Sequence, residues 1–181
     1  MPVFNNILAG AAGQVSDSGG SGYEIERSVL FESDRTTNLT FSPSTNFNRQ
    51  KFTIAFWFKP WSKDYTLCSS GTSSNEYFEV KYNSSNRIEI FGQHISTLYS
   101  SAKLRDYSAW YHICVMFDKQ HTDSSKRCRL FINGLLETSQ SQSSTSNVYW
   151  GHTGQTHKFG GRSWASSDQG KFSGAEFYWL S

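Results

Sequence analysis

The chain has 181 residues, 17 Lys and Arg against 15 Asp and Glu for a formal net charge of +2, and is 16% aromatic but only 18% charged. That length fits one domain, the aromatic surplus can fill a core, the low charge argues against disorder, and the near-balance lacks the basic field that a nucleic-acid partner requires. No run of about 18 apolar residues exists, so a transmembrane helix is excluded and a soluble protein without a membrane partner is expected.

The N-terminus has no basic stretch and its apolar patch is too short for a secretory signal, so synthesis in a cytosol is expected. Residues 1–22 stand apart. Phe4, Ile7 and Leu8, accompanied by Asn5, Asn6 and Gln14, run into Ser-Asp-Ser-Gly-Gly-Ser-Gly at 16–22, a peptide on a flexible linker. Chain termini are commonly disordered; the sparse apolar set instead predicts an arm that packs on a partner surface or a neighbouring subunit.

From Tyr23 the apolar period is two, which predicts strands. Tyr23 to Phe31 alternates with one break at Arg27, and Phe52, Ile54, Phe56 and Phe58 alternate with Thr53, Ala55, Trp57 and Lys59. Phe78, Val80 and Tyr82 alternate with Tyr77, Glu79 and Lys81, and Asn83-Ser-Ser-Asn86 turns the chain into Ile88 and Ile90, a hairpin. Tyr111 to Phe117 alternates next. Cys128–Ile132 then meets Leu135–Thr138 across Asn133-Gly134, a strong two-residue hairpin signal. Phe172 to Leu180 is the last strand. Only Ser100 to Ala109 could pass for a helix. Thr138 to Asn147 reads as a Ser/Gln-rich loop, and Gly151 to Gly161 as irregular connections near a sheet edge. Eight or more short strands, polar turns and no repeat of 20–50 residues predict an all-β antiparallel β-sandwich or jelly roll, without propeller or solenoid character.

Three segments carry a family resemblance: Phe52 to Pro60; Trp110 to Phe117 followed by Arg129-Leu-Phe-Ile-Asn-Gly134; and Phe172 to Phe177. In that order they resemble the concanavalin A-like, laminin-G-like jelly rolls, over roughly Tyr23 to Ser181. The resemblance implies a core strand, a strand leading to the Asn-Gly hairpin, and a closing strand. The arm, Phe4 to Gln14, with its linker and Tyr23 to Phe31, resembles the start of virion proteins of tailed phages of cyanobacteria and marine bacteria. That second resemblance implies a structural role on the particle, in head decoration or in the tail. Such proteins often run on past the closing strand, whereas this sequence stops at Ser181.

The same fold hosts glycoside hydrolases, whose retaining sites need two carboxyls about 5–5.5 Å apart. The one Glu-x-Asp is Glu32-Ser-Asp34, with no third carboxylate after it; Glu24 and Glu26 precede apolar residues, and Glu76 and Glu79 differ in strand parity. All read as solvated face residues. His94, His112, His121, His152 and His157 have no metal-ligand spacing, Asp118 and Asp123 give no dense acidic cluster for calcium, and no Gly-x-Ser-x-Gly, Walker or Rossmann pattern occurs. His112 reads as a sheet-face residue. Cys68, Cys128 and Cys114 are an odd number without zinc or disulfide spacing, and are expected to be core thiols. No catalysis, metal or cofactor is expected.

Aromatic platforms beside polar groups suit a pyranose face. Trp61, Trp150 and Trp164 fall in or beside loops with Asn147, His152, Gln155 and Arg162. The leading expectation is a non-enzymatic virion protein, a capsid decoration or cement protein assembled in the host cytoplasm. It would be oligomeric, with a trimer as the family analogue, and attached to the major capsid protein or another virion protein through Phe4, Asn5, Asn6, Ile7, Leu8 and Gln14. The alternative is a carbohydrate-binding tail or fibre module that recognises host glycans through Trp61, Trp150, His152, Arg162 and Trp164.

Overall fold

Side chains that alternate between apolar and polar have an inside and an outside only in a strand, and the computed structural model of the protein pairs such strands into two layers. It describes residues 25–33, 37–140, 146–165 and 170–181. The expected arm, with Phe4, Asn5, Asn6, Ile7, Leu8 and Gln14, lies outside the described residues, as do Tyr23 and Glu24. Among the described residues the strands are β1 (Val29–Phe31), β2 (Leu39–Phe41), β3 (Lys51–Pro60), β4 (Tyr65–Ser73), β5 (Glu76–Tyr82), β6 (Ile88–Gly92), β7 (Leu98–Tyr99), β8 (Tyr111–Asp118), β9 (Cys128–Ile132), β10 (Leu135–Gln140), β11 (His157–Phe159) and β12 (Phe172–Leu180). The 3-10 turn Ser124–Lys126 is capped by the Asp123 carboxylate, which accepts from the Ser125 amide. No helix among the described residues is long and apolar enough to cross a membrane.

Sheet A runs β1-β12-β3-β8-β9-β10 and sheet B runs β2-β11-β4-β5-β6-β7, with antiparallel pairing throughout. The inward parity of β3 (Phe52, Ile54, Phe56, Phe58) and β8 (Ile113, Val115, Phe117) meets that of β5 (Phe78, Val80, Tyr82) and β6 (Ile88, Ile90), all buried. The rings interlock: Phe52 stacks on Phe117 at 5.0 Å and meets Phe78 edge-on at 6.0 Å. Each such side chain contributes roughly 1.5–3 kcal/mol of hydrophobic stabilisation before ordering costs.

Both predicted hairpins form. Asn133 and Gly134 hold φ of 53° and 80°, the primed turn whose twist matches the flanking strands, and Asn86 at φ 60° closes the turn between β5 and β6. The structure departs from the sequence expectation elsewhere. The first strand is only Val29–Phe31, since Ile25 to Ser28 pair with nothing in the sheet. β4 has no clean alternation to read, because its pairing with β5 shifts between Thr66 and Cys68 and again between Gly71 and Ser73. Within the Gly-rich stretch, β11 is a true strand inside sheet B, between β2 and β4. Ser100 to Ala109 forms no helix. It plugs one end of the core through Leu104, whose carbonyl accepts the Tyr82 hydroxyl at 2.5 Å. Of the thiols, Cys68 and Cys128 are core residues, but Cys114 is half-buried on the outer face of sheet A.

Candidate functional site

The sequence-predicted glycan residues scatter. Trp150 is fully buried, meeting Phe78 at 5.5 Å, His157 at 4.9 Å and Trp179 at 5.8 Å, so it is a core residue and offers no platform. His152 packs flat on Tyr149 at 6.2 Å at the rim, its Nδ1 against the Thr153 carbonyl. Trp61 is 52% exposed beyond the end of β3. Its Nε1 donates to Ser173 Oγ at 3.1 Å, and Lys59 and Lys171 lie over its ring at 5.9 and 5.5 Å. Only Arg162 and Trp164 come together, on the outer face of sheet B.

That face is built by register. One row across the sheet reads Thr40, Lys158, Ser69, Glu79 and Phe91, and the next holds Gly71 opposite Tyr77. The segment after β11 folds back over these rows. Ser69 Oγ donates to the Gly161 carbonyl at 3.0 Å and accepts the Ser163 amide at 2.7 Å, so the intervening Arg162 is set down on the sheet. Its Nε and Nη2 reach the two oxygens of Glu79 at 3.1 and 3.2 Å, a side-on pair, and the Thr66 hydroxyl donates to the same carboxylate. Glu79 is completely buried, which corrects its sequence reading as a solvated face residue.

Trp164 continues the platform. Its ring lies 4.7 Å from Tyr77, which sits 5.8 Å from Phe91, and the Arg162 guanidinium lies 5.4 Å over the indole. All three rings are half-buried. Lys158 stands two strands from Glu79 in the same row; burial pushes its ammonium pKa down, and no ion pair joins it to a described residue. The site therefore combines an aromatic shelf, a guanidinium fixed on Glu79 and an ammonium with no ion pair among the described residues.

The other glutamate on this face, Glu89, accepts from Asn83 Nδ2 at 3.3 Å and pairs with Tyr99, whose hydroxyl it pushes up in pKa. Glu79 and Glu89 are thus both tied into hydrogen bonds. No three His, Cys, Asp or Glu side chains converge on a metal-sized point among the described residues. Sequence reasoning missed Tyr77, Phe91, Lys158 and Glu79 as site residues. Strand parity gave the outward direction of the first two, but no local signal announces the crossing loop that brings Arg162 to a residue 83 positions away.

Two face-to-face antiparallel sheets with a polar and aromatic outer face define a lectin-type jelly roll. The chain belongs to the concanavalin A-like lectin/glucanases superfamily, whose laminin-G profile matches residues 33–178. No curated protein matches the chain by sequence. Among solved structures it is similar to the carbohydrate-binding module (CBM40) of the Ruminococcus gnavus IT-sialidase, bound to alpha2,3 sialyllactose, at 17% identity and TM-score 0.56, over 83% of this chain and 90% of that one. It is also similar to domains LG4-5 of the mouse laminin alpha1 chain, at 10% identity and TM-score 0.64, over 92% of this chain but 45% of that one. A third similarity, at 15% identity and TM-score 0.59, is to the binding domain of botulinum neurotoxin DC in complex with SialylT, over 84% of this chain and 38% of that one. At these identities the likenesses establish the fold.

Proposed function

We propose that the protein is a non-catalytic glycan-binding module whose site is the outer face of sheet B. The observation that carries this reading is the shelf of Tyr77, Phe91 and Trp164 beside an Arg162 locked onto the buried Glu79. A pyranose ring stacks on aromatic faces, and the Lys158 ammonium favours a sugar that carries a carboxylate, the Arg162 charge being answered by Glu79. Two of the similar structures were solved with sialylated ligands, which supports an acidic sugar as the class to test first. Trp61 lies beyond the end of β3 in sheet A, and Trp150 is in the core, so neither belongs to this site.

The decoration reading stands on residues 1–22, outside the described residues, and on resemblance. The geometry favours the glycan reading, which a virion protein could also serve at the host surface. The test is equilibrium binding of the full chain to sialylated, uronate-bearing and neutral oligosaccharides. Trp164→Ala and Lys158→Ala are each expected to weaken acidic-sugar binding about tenfold or more, while Trp61→Ala leaves it unchanged. Retention of affinity in Trp164→Ala with loss in Trp61→Ala would place the site elsewhere. Absence of binding to every sugar would return the decoration reading to first place.

A further inference from the structure

The outer face of sheet A, opposite the proposed glycan face, is apolar where a solvated sheet alternates to polar. The register aligns Tyr178, Ala55, Cys114, Phe131 and Leu136 in one row across five strands. Leu180 and Met116 flank it on one side and Trp57 with His112, 5.0 Å apart, on the other. Tyr178, Leu136 and Leu180 are 56%, 57% and 67% exposed. On β3, β8 and β9 the charged side chains of this face, Lys51, Lys59, Asp118 and Arg129, stand in rows beside it, and Glu176 and Glu137 fall at the bulges of β12 and β10 next to its two ends.

The path of the chain singles out an occupant. β1 is the edge strand of this sheet and runs antiparallel to β12, with Phe31 opposite Phe172 and Val29 opposite Gly174. Upstream of Val29 the direction of β1 therefore points toward the end of β12 that holds Tyr178, the first member of the row, with Ile25 to Ser28 outside the ladder. Upstream lie 24 residues outside the described set, in whose sequence Gly19, Gly20 and Gly22 separate Ile25 from the apolar Phe4, Ile7 and Leu8. At about 4.8 Å per strand the row is about 19 Å wide, a span that roughly six extended residues cross. We propose that residues 1–15 of this chain dock across the outer face of sheet A, laying Phe4, Ile7 and Leu8 on the row from Tyr178 to Leu136.

Cys114, in the middle of the row, reports on the covering, while Cys68 and Cys128 are buried controls. The experiment compares maleimide modification of the full chain with that of the full-length Phe4→Ser/Ile7→Ser/Leu8→Ser variant, at several protein concentrations. A docked arm protects Cys114, and the variant is expected to react about tenfold faster, at a rate independent of concentration. Tyr178→Glu in the full chain, which sets a charge at an exposed position of the row, is expected to release the arm and raise the rate likewise. Equal rates in wild type and the arm variant overturn the proposal. Rates that fall with protein concentration equally in both chains assign the face to a second copy and overturn it too.

Discussion

Two buried titratable side chains show how single residues set the behaviour of this sandwich. His157 lies between the rings of Phe41 at 4.7 Å and Trp179 at 5.6 Å. The Gly151 amide donates to its Nε2 at 2.8 Å, so the proton sits on Nδ1, against the Gln155 carbonyl at 3.1 Å. Burial pushes its pKa from 6.5 down to about 4. A depressed folded-state pKa means full stability above the unfolded value and loss as the unfolded chain takes up a proton that the folded one refuses. The loss spans pH 6.5 to 4 and reaches about 3 kcal/mol. Urea midpoints across that range are expected to fall more steeply for the wild type than for His157→Gln; parallel curves would contradict the assignment. Glu79 presents the complementary case. Arg162→Ala leaves a fully buried carboxylate without its counter-charge and is expected to cost about 3–5 kcal/mol, whereas Glu79→Met with Arg162→Leu costs much less, as denaturation can show. For that reason Trp164 and Lys158, not Arg162, are the substitutions that probe binding.

At the scale of elements, β12 depends on one residue. Its pairing with β3 shifts between Ala175 and Tyr178, and Glu176 absorbs the extra position at φ 53°. The bulge lets Phe177 pack against Phe159 at 4.2 Å and Phe31 at 6.0 Å while Trp179 also turns inward and Tyr178 and Leu180 turn out. Deleting Glu176 reverses one side of the strand relative to the other and is expected to abolish cooperative unfolding. Glu176→Gly, which relieves a left-handed conformation, is expected to be neutral or stabilising by up to about 1 kcal/mol in thermal denaturation. The bulge also marks what the sequence could reveal. Parity alone placed the inward side chains of β3, β5, β6 and β8 and both hairpins, because each is a local pattern. It failed for β4, whose double register shift scrambles the alternation, and for β11, whose three residues carry no pattern of their own. The site followed the same division: Arg162 and Trp164 were legible as residue types, but their place over Glu79 is a consequence of tertiary folding. Trp150 was misread because a large ring beside glycines looks the same in a loop as in a core.

Across the whole molecule the buried ionisable groups combine into one pH profile. Lys119 is 1% exposed at the end of β8. It joins the two layers there, its ammonium donating to the carbonyls of His94 at 2.6 Å and Ser146 at 3.0 Å. Burial lowers its pKa from 10.5 to about 8, so its contribution grows as pH rises from 8 to 10.5, where the unfolded chain holds the extra proton. The thiols act in the opposite sense. Burial raises Cys68, Cys114 and Cys128 above their ordinary 9.0, and stability held below that value is lost as the unfolded chain ionises above it. Tyr65 and Tyr82, raised above 10.0 by burial, add to that loss at higher pH. Below 6.5 His157 draws stability down again. The rising contributions of the two desolvated ammoniums, Lys119 and Lys158, against the three thiols that fall above 9.0 place the maximum between pH 8 and 9, on the alkaline side of neutrality. Urea midpoints measured from pH 4 to 11 are expected to peak there. Lys119→Met is expected to flatten the rise after pH 8, whatever its effect on absolute stability. A wild-type maximum at or below pH 7 would show that the Lys119 ammonium is not held apart from water at the junction of the two sheets.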